Sequence, residues 1–210
     1  MRGIALFSGG KDGLYAVYLA EKEGIDVPYL LLLKTTIGLS PHWENRLSLR
    51  KLANSMGKAI LTFDMAEGSD SLVELLSSLS VDVLIAGDVY LEDHKSWLES
   101  LGEKAGIKVF EPLWGRDSRK LAEEMLKNGF KWAIIAVDKS KLPRSVIGYK
   151  FSSSRDLDRF LANYDVDPLG EYGEFHTVVL SSPLFDRDFE LKIDDVLEDK
   201  TYYWAKFTLL

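Results

Sequence analysis

The stretch GIALFSGGKDGLYAVYLAEKEG, residues 3–24, decides the fold of this 210-residue chain. Residues 3–7 form a short apolar run that predicts a buried strand. Residues 12–23 carry apolar side chains at helical spacing, and Gly24 follows them as a stop signal. A strand that enters a helix through a glycine-rich loop is typical of a parallel sheet covered by helices.

The same alternation of apolar runs and amphipathic helices continues to residue 138. Short loops join the segments, which predicts an α/β fold with a parallel sheet and helices on both of its faces. The predicted strands are residues 3–7, 27–34, 58–63, 81–86, 107–110 and 132–137, and the predicted helices are residues 12–23, 43–56, 69–79, 93–105 and 118–128.

The pattern changes after residue 138, beginning with the polar run Asp138-Lys139-Ser140-Lys141. We therefore expect two units, residues 1–138 and a smaller α+β unit of residues 139–210. The acidic run of residues 186–199 predicts a solvated sheet edge, because charges on an edge strand keep sheets from pairing. The elements predicted in this second unit are a helix over residues 152–163 and strands over residues 177–180, 189–193 and 202–209.

Composition excludes several kinds of site. The chain has no cysteine, which excludes a disulfide framework, a thiolate zinc site and a cysteine nucleophile. Its three histidines are too few for a histidine-rich metal site. The formal net charge of −7 repels a phosphate backbone, so nucleic acid is an unfavourable partner.

The start of the chain lacks the features of a secretion signal. Its apolar stretch, residues 1–7, is short and leads into glycines rather than into a cleavage site. The longest apolar run, residues 29–33, is too short to cross a bilayer. We therefore expect a cytoplasmic protein without a membrane segment.

The loop Ser8-Gly9-Gly10-Lys11-Asp12-Gly13 has the features of a phosphate-binding site. Its glycines let the backbone approach an anion, and the N–H groups at the start of the helix point toward it. Ser8 adds a hydroxyl donor, Lys11 adds a positive charge, and Asp12 either binds Mg²⁺ or caps the helix. The usual P-loop is longer and has Ser or Thr after its lysine, so the pattern here is a different one. The alternative interpretation is a glycine-rich turn with a solvated lysine.

Polar residues also follow two other predicted strands at their carboxyl ends. Lys34-Thr35-Thr36 follows the second strand, and Gly87-Asp88 follows the fourth. Ligands of open parallel sheets bind beyond the carboxyl ends of the strands. We therefore expect Lys34, Gly87 and Asp88 to lie near the glycine-rich loop, around one bound ligand.

A second dense motif, DPLGEYGEFHT, occupies residues 167–177. Its glycines permit tight turns, which would let Glu171 and Glu174 converge on a cationic group. His176 stands close enough in sequence to serve in proton transfer. The alternative is an acidic turn that leads into a strand, with His176 simply hydrogen-bonded.

The first loop resembles the SGGxDS signature of the N-type ATP pyrophosphatases. That resemblance implies a Rossmann-like sheet of the HUP type and cleavage of ATP to AMP and pyrophosphate. The last serine of the signature is Gly13 here, which removes one hydroxyl and leaves the backbone donors.

Both motifs together resemble the diphthine–ammonia ligase (diphthamide synthase) family, which pairs an SGGKDS loop with a segment close to DPCGEGGEFHT and a nearby PLF. This chain has Gly170-Glu171, Gly173-Glu174-Phe175-His176-Thr177 and Pro183-Leu184-Phe185 in that order. Ala86-Gly87-Asp88-Val89 and Pro112-Leu113-Trp114 also resemble family segments, so the resemblance spans nearly the whole chain. The chain departs from the family at Leu169, where the family has cysteine, and at Tyr172, where it has glycine.

The resemblance implies a reaction and a set of residues. A carboxylate of modified histidine (diphthine) on elongation factor two would attack ATP in the presence of Mg²⁺, and ammonia would displace AMP. The residues implied as catalytic are Lys11, Asp12, Glu171, Glu174 and His176. The residues implied to bind the nucleotide are Ser8, Gly9, Gly10, Lys11, Asp12, Gly13, Lys34, Gly87 and Asp88, and Asp12 is also implied to bind Mg²⁺. The residues implied to bind the substrate are His42, Lys95, Glu99, Glu171, Gly173 and Glu174.

Two alternatives of other kinds stay open at this point. The chain is either a related ATP pyrophosphatase that acts on tRNA or a small metabolite, or a non-catalytic module that senses ATP or AMP. The acidic balance of the chain argues against RNA. A homodimer is also left open.

Overall fold

The computed structural model describes residues 1–35 and 40–210. Thr36, the last residue of the polar run after the second strand, therefore lies outside the described residues. None of the helices in the described ranges combines the length and the hydropathy that a bilayer crossing requires.

The first sheet has five parallel strands in the order β3-β2-β1-β4-β5. This order confirms the predicted parallel sheet, and it places the reversal of strand order between β1 and β4. The strands are β1 (Arg2–Leu6), β2 (Asp26–Lys34), β3 (Ala59–Asp64), β4 (Val83–Ile85) and β5 (Lys108–Phe110).

Helices cover both faces of this sheet, because successive strand residues point to opposite sides. Ile4 of β1 packs on one side with residues of α4 and α5, while its neighbour Ala5 packs on the other with residues of α1 and α3. The helices are α1 (Lys11–Lys22), α2 (Pro41–Glu44), α3 (Arg46–Ser55), α4 (Ser69–Ser78), α5 (Glu92–Ala105), α6 (Ser118–Lys127) and α7 (Ser154–Leu161).

The second sheet is antiparallel, and strand β6 lies at its centre. Residues 132–137, which form most of β6, were expected to extend the first sheet, and that expectation is wrong. Six consecutive buried apolar residues look the same in either kind of sheet, so the sequence pattern could not separate the two. The strands are β6 (Lys131–Asp138), β7 (Lys150–Phe151), β8 (Phe175–Ser181), β9 (Leu191–Glu198) and β10 (Tyr202–Leu209).

The two sheets share one continuous apolar core. Leu14 and Val17 of α1 belong to the same buried cluster as Trp132 of β6 and Val178 of β8. The division after residue 138 therefore stays a prediction.

Strand β9 lies at the end of the path β7-β6-β10-β9, as the acidic edge strand expected from residues 186–199.

The predicted helix over residues 43–56 is two helices that meet at Asn45. Asn45 is only 3% exposed. Its Nδ2 donates to the carbonyls of Pro41 and Ala205, both at 2.8 Å, and its Oδ1 accepts from Phe207 N–H at 2.9 Å. Asn45 thus satisfies backbone groups of β10, which explains the break in the helix.

Replacing Asn45 with alanine is expected to destabilise the protein by about 2–4 kcal/mol, because buried backbone groups of β10 lose their partners. Urea denaturation would measure the loss. Asn54→Ala is the matched control, since Asn54 lies exposed on the neighbouring α3. Equal urea midpoints for the two variants would contradict the proposed place of Asn45 in the fold.

Candidate active site

A cleft of about 700 Å³ opens at the carboxyl ends of the first sheet. It lies where the strand order reverses between β1 and β4, the usual ligand position in open parallel sheets. Strand β8 and the loop before it form its opposite wall. The predicted site residues in its lining are Ser8, Gly10, Lys11, Asp12, Gly13, His42, Gly87, Asp88, Glu171, Gly173 and His176.

The glycine-rich loop presents backbone donors to this cleft. Helix α1 begins at Lys11, so the N–H groups of Lys11, Asp12 and Gly13 have no carbonyl partner within the helix. Thr177 Oγ1 accepts from Lys11 N–H at 3.3 Å. The amides of Asp12 and Gly13, in the cleft lining, are therefore suited to an anion.

Gly87 fixes the distance between the loop after β4 and the start of α1. A Cβ atom on Gly87 would lie 2.5 Å from the Asp12 carbonyl carbon and 2.7 Å from Gly13 N. These neighbours are backbone atoms, which cannot rotate away as a side chain does. Only glycine therefore fits here without a shift of α1.

Replacing Gly87 with alanine is expected to weaken binding of an anionic ligand in the cleft, probed with ATP, at least about tenfold, with a stability loss of about 1–3 kcal/mol from the overlap. Calorimetric titration at a temperature where the variant is folded would measure the affinity. Gly24→Ala is the control, because its positive φ of 80° also strains alanine while its Cβ would meet nothing within 4 Å. Unchanged affinity in Gly87→Ala would contradict the prediction.

The Lys11 side chain connects the glycine-rich loop to the second half of the chain. It is 2% exposed. Its Nζ donates to Asp12 Oδ2 at 2.8 Å and to the Leu169 carbonyl at 2.5 Å, and it lies 5.4 Å from the centre of the Phe175 ring. A buried ammonium requires such partners. The two motifs found in the sequence therefore meet at this one charge.

The cleft contains the carboxyl groups of Asp12 and Glu171, and the charge of Asp12 influences the pKa of Glu171. Burial raises the pKa of Asp12, against the opposing pull of the Lys11 ammonium. Burial, followed by the negative charge of Asp12, raises the pKa of Glu171 to about 8. Asp12 Oδ1 is buried and has no hydrogen-bond partner among the described residues. Glu171 is therefore the carboxyl of the two that binds a proton near neutral pH, and Asp12 offers a cation an oxygen that no described residue hydrogen-bonds.

Two histidines lie beside Lys11 as neutral rings. The ring centres of His42 and His176 are 5.5 Å apart, and the rings are nearly perpendicular. Burial, helped by His176 and Lys11, lowers the pKa of His42 to about 3, although the Ser8 backbone opposes this. Burial and the Lys11 charge lower the pKa of His176 to about 4.

The third histidine behaves differently at the rim of the cleft. His94 Nδ1 lies 2.6 Å from Asp88 Oδ1. Burial is the largest single influence and lowers the pKa of His94, but the hydrogen bond to Asp88 and the charges of Asp88 and Glu111 together outweigh it, and the pKa is raised. Asp88 therefore faces a histidine that protonates more readily than usual, a pairing that no pattern in the sequence predicted.

Glu174 lies outside the cleft lining and holds the loop together. It is 6% exposed, and its carboxylate accepts from Asp167 N–H at 3.1 Å and from Tyr172 N–H at 3.0 Å. Asp167 was missed by the sequence reasoning, yet its Oδ1 accepts from Leu169 and Glu171 N–H groups. The sequence signal that could have identified Asp167 is its position in the same motif, four residues before Glu171. A direct catalytic role of Glu174 stays a prediction.

Four other predicted residues also lie outside the described cleft lining. Lys34 pairs with Asp64 at 2.5 Å. Lys95 lies 4.5 Å from the centre of a Trp114 ring and 3.9 Å from Glu99. Gly9 has a φ of 75° and packs against Leu49, so it supports the turn of the loop on the side away from the cleft lining. These four contacts explain the positions of Lys34, Lys95, Glu99 and Gly9.

Comparison with known proteins identifies a family over most of the chain. The sequence model of the diphthamide synthase N-terminal domain matches residues 1–109, and that of the diphthamide synthase C-terminal domain matches residues 117–208. The second match begins before α6 and includes β6. A crystal structure of a predicted subunit of tRNA methyltransferase from Methanocaldococcus jannaschii is similar, with a TM-score of 0.47, 18% identity and coverage of 85% of this chain and 96% of that chain.

Two curated relatives carry the name diphthine–ammonia ligase. The one from Schizosaccharomyces pombe is 27% identical over 225 residues, and the one from Saccharomyces cerevisiae is 24% identical over 241 residues. The alignments cover 94% and 93% of this chain but only 37% and 35% of those relatives. The chain thus spans little more than a third of their length. On the two domain matches, the chain belongs to the diphthamide synthase family.

Proposed function

We propose that this chain is an ATP-dependent ligase that converts diphthine on elongation factor two into diphthamide, with ammonia as the nitrogen donor. Family membership and the printed names of the yeast relatives support this. The observation that carries it is the contact of Lys11 Nζ with both Asp12 and the Leu169 carbonyl. This contact joins an ATP-type phosphate loop to the family's second motif in one cleft.

In the first step, an oxygen of the substrate carboxylate bonds to the α-phosphorus of ATP. The bond from that phosphorus to the bridging oxygen breaks, and pyrophosphate leaves with the electron pair. The amides of Asp12 and Gly13 and the Lys11 ammonium, all from residues of the cleft lining, would stabilise the negative charge that develops on pyrophosphate. The product is an acyl-adenylate.

In the second step, ammonia bonds to the acyl carbon, and the bond from that carbon to the AMP oxygen breaks. AMP leaves with the electron pair, and the nitrogen gives up one proton. Glu171 in its carboxylate form is the acceptor in the same cleft. Because its pKa is about 8, this acceptor becomes available as the pH rises above neutral.

One carboxylate oxygen in the cleft, Asp12 Oδ1, is suited to Mg²⁺. The described residues contain no group of three or more His, Cys, Asp or Glu arranged to hold a metal ion. Asp12 Oδ1 is nevertheless a buried carboxylate oxygen that no residue in the described ranges hydrogen-bonds, and Mg²⁺ in ATP-binding sites takes one or two carboxylates with phosphate oxygens and water. Asp12 would hold the ion, which would supply positive charge beside the phosphates.

The departures from the family motifs are compatible with this function. Leu169 replaces a cysteine, but its contact with Lys11 is made by the backbone carbonyl, which any residue supplies. Tyr172 replaces a glycine, and its ring is 70% exposed and stacked 6.3 Å from Tyr90. Gly13 replaces a serine and keeps its amide in the cleft lining.

The test mixes the purified chain with ATP, Mg²⁺, ammonium and elongation factor two that carries diphthine. Pyrophosphate release and a mass change on the factor are expected, with the factor carrying unmodified histidine as control. Stimulation only by tRNA would overturn the proposal in favour of another ATP pyrophosphatase. Equal affinity for AMP and ATP without turnover would overturn it in favour of a nucleotide sensor.

The cytoplasm is the proposed location, because an elongation factor works with ribosomes there. A low affinity for nucleic acid stays a prediction, which the tRNA arm tests. A homodimer also stays a prediction, and sedimentation of the purified chain tests it.

A further inference from the structure

His42 and His176 are held in place by different parts of the fold. His42 belongs to α2, which the Asn45 hydrogen bonds fix to β10. His176 belongs to β8, and the ring of Tyr202 lies 5.4 Å from it. Both histidines line the cleft that contains Lys11, Asp12 and Glu171. The pair therefore forms one wall of the proposed reaction site.

One atom of this wall lacks a partner. His42 Nδ1 is buried, and no hydrogen bond reaches it among the described residues. Burying a polar atom without a partner is costly, so such atoms in native proteins call for an explanation. A small ligand in the cleft that donates a hydrogen bond would supply the missing partner.

The positive charge of Lys11 restricts which ligands can bind next to His42 and His176. Lys11 acts on both histidines with its positive charge, and its effect and that of burial keep both rings neutral. The same two causes disfavour a small cation next to the rings. A neutral imidazole has one nitrogen that accepts a hydrogen bond. Beside His42 and His176, the cleft therefore suits a small neutral hydrogen-bond donor.

We propose that His42 and His176 form the binding site for neutral ammonia, with His42 Nδ1 accepting a hydrogen bond from an ammonia N–H group. This rests on the proposed ligase function. Neutral ammonia is also the form that reacts, because its lone pair must be free to bond to the acyl carbon. Asp12, Glu171 and Tyr202 are the other titratable groups near the pair. Glu171 would accept the proton that the nitrogen releases after it has attacked.

The test separates the two half-reactions. Exchange of labelled pyrophosphate into ATP, measured with the diphthine-bearing factor and without ammonia, reports adenylation. Amide formation at varied ammonium concentration then gives the KM for ammonia. His42→Phe removes the acceptor at similar ring size and should raise this KM about three- to tenfold, the loss of one hydrogen bond. His42→Gln, which keeps an acceptor, should raise it less.

The controls distinguish binding from a structural role. Tyr149→Phe removes a hydroxyl that donates to the Asp156 carbonyl outside the described cleft lining, and it should leave the KM for ammonia within about twofold of wild type. If His42→Phe lowers pyrophosphate exchange as much as it impairs use of ammonia, the residue is structural and the inference is overturned. An unchanged KM in His42→Phe, with exchange present, also overturns it. Absence of exchange in the wild type overturns the proposed function itself.

The pH dependence gives a second readout. If neutral ammonia binds, the KM expressed as total ammonium should fall about tenfold for each unit by which the pH is raised, as long as the pH stays below the pKa of ammonium. A KM that does not change with pH would mean that the cation binds, which overturns the inference. Because Glu171 is expected to act on kcat, the two effects are separable in one set of rate curves.

Discussion

Replacing Lys11 with methionine is expected to slow pyrophosphate release about 1,000-fold. The variant loses the positive charge beside the proposed leaving group, and it loses the hydrogen bond to the Leu169 carbonyl that connects the two halves of the cleft. It also leaves Asp12 without its ion-pair partner, so the pKa of Asp12 should rise further. Single-turnover release of pyrophosphate would measure the effect.

Two control variants separate charge, geometry and stability. Lys11→Arg keeps the positive charge, but the larger guanidinium does not match a site built for one ammonium, so an intermediate rate is expected. Lys58→Met removes another mostly buried lysine, which pairs with Glu21 and the Val27 carbonyl. That variant should lose stability and keep its turnover per folded molecule. A rate for Lys11→Met within about tenfold of wild type would contradict the proposed role.

The position of the cleft could be predicted from the sequence because it depends on topology alone. Alternating strands and helices make a parallel sheet, and the carboxyl ends of its strands meet at one edge. The loop after β1 and the Gly87-Asp88 pair after β4 accordingly line one cleft. Lys34 also ends a strand, yet it pairs with Asp64 on the neighbouring β3. Its chain neighbours Leu33 and Thr35 do line the cleft, so the direction of the Lys34 side chain, which the local pattern does not specify, explains the difference.

Side-chain direction in the second motif was not predictable in the same way. Glu171 and Glu174 are equally acidic and lie close together in the chain, but positive φ angles at Gly170 and Gly173 turn the loop around them. Glu171 reaches the cleft, whereas Glu174 accepts hydrogen bonds from the loop's own backbone. Such a division depends on three-dimensional backbone geometry, which neither residue type nor spacing specifies.

The states of the three histidines show the same limit. The family resemblance implied a substrate contact for His42, and no pattern in the sequence indicated the carboxylate partner of His94. Folding buries His42 against His176 and gives His94 a carboxylate partner, so their pKa values move in opposite directions. Long-range packing decides both shifts, and nothing near either residue in the chain encodes it.

Replacing Glu171 with glutamine is expected to lower kcat for amide formation about 100-fold at pH values above about 8, since glutamine cannot accept a proton. The loss should be smaller near pH 6.5, where wild-type Glu171 is itself mostly protonated because its pKa is about 8. Measuring kcat from about pH 6.5 to 9 at saturating ammonium would test this. A constant ratio of the two rates across that range would exclude Glu171 as the proton acceptor.

The same substitution should stabilise the protein at high pH. The folded-state pKa of Glu171, about 8, is above its ordinary 4.5, so the folded state binds more protons than the unfolded state between these values. Native stability therefore falls as the pH rises through this range, and the neutral glutamine side chain would not contribute to the fall. The thermal midpoint of Glu171→Gln should exceed that of wild type by roughly 2–4 °C at about pH 8.5, for about 1 kcal/mol, and by less at about pH 5.

Glu174→Gln is the matched control, because it changes the same residue type in the same loop. Glu174 accepts two backbone N–H groups, and glutamine offers only one accepting oxygen. This variant should therefore lose stability at both pH values, in contrast to Glu171→Gln. The opposite signs follow from one difference: Glu174 has its hydrogen bonds in the fold, while Glu171 carries a buried carboxyl beside Asp12. If both variants lost stability at the higher pH, Glu171 would be a structural residue of the loop.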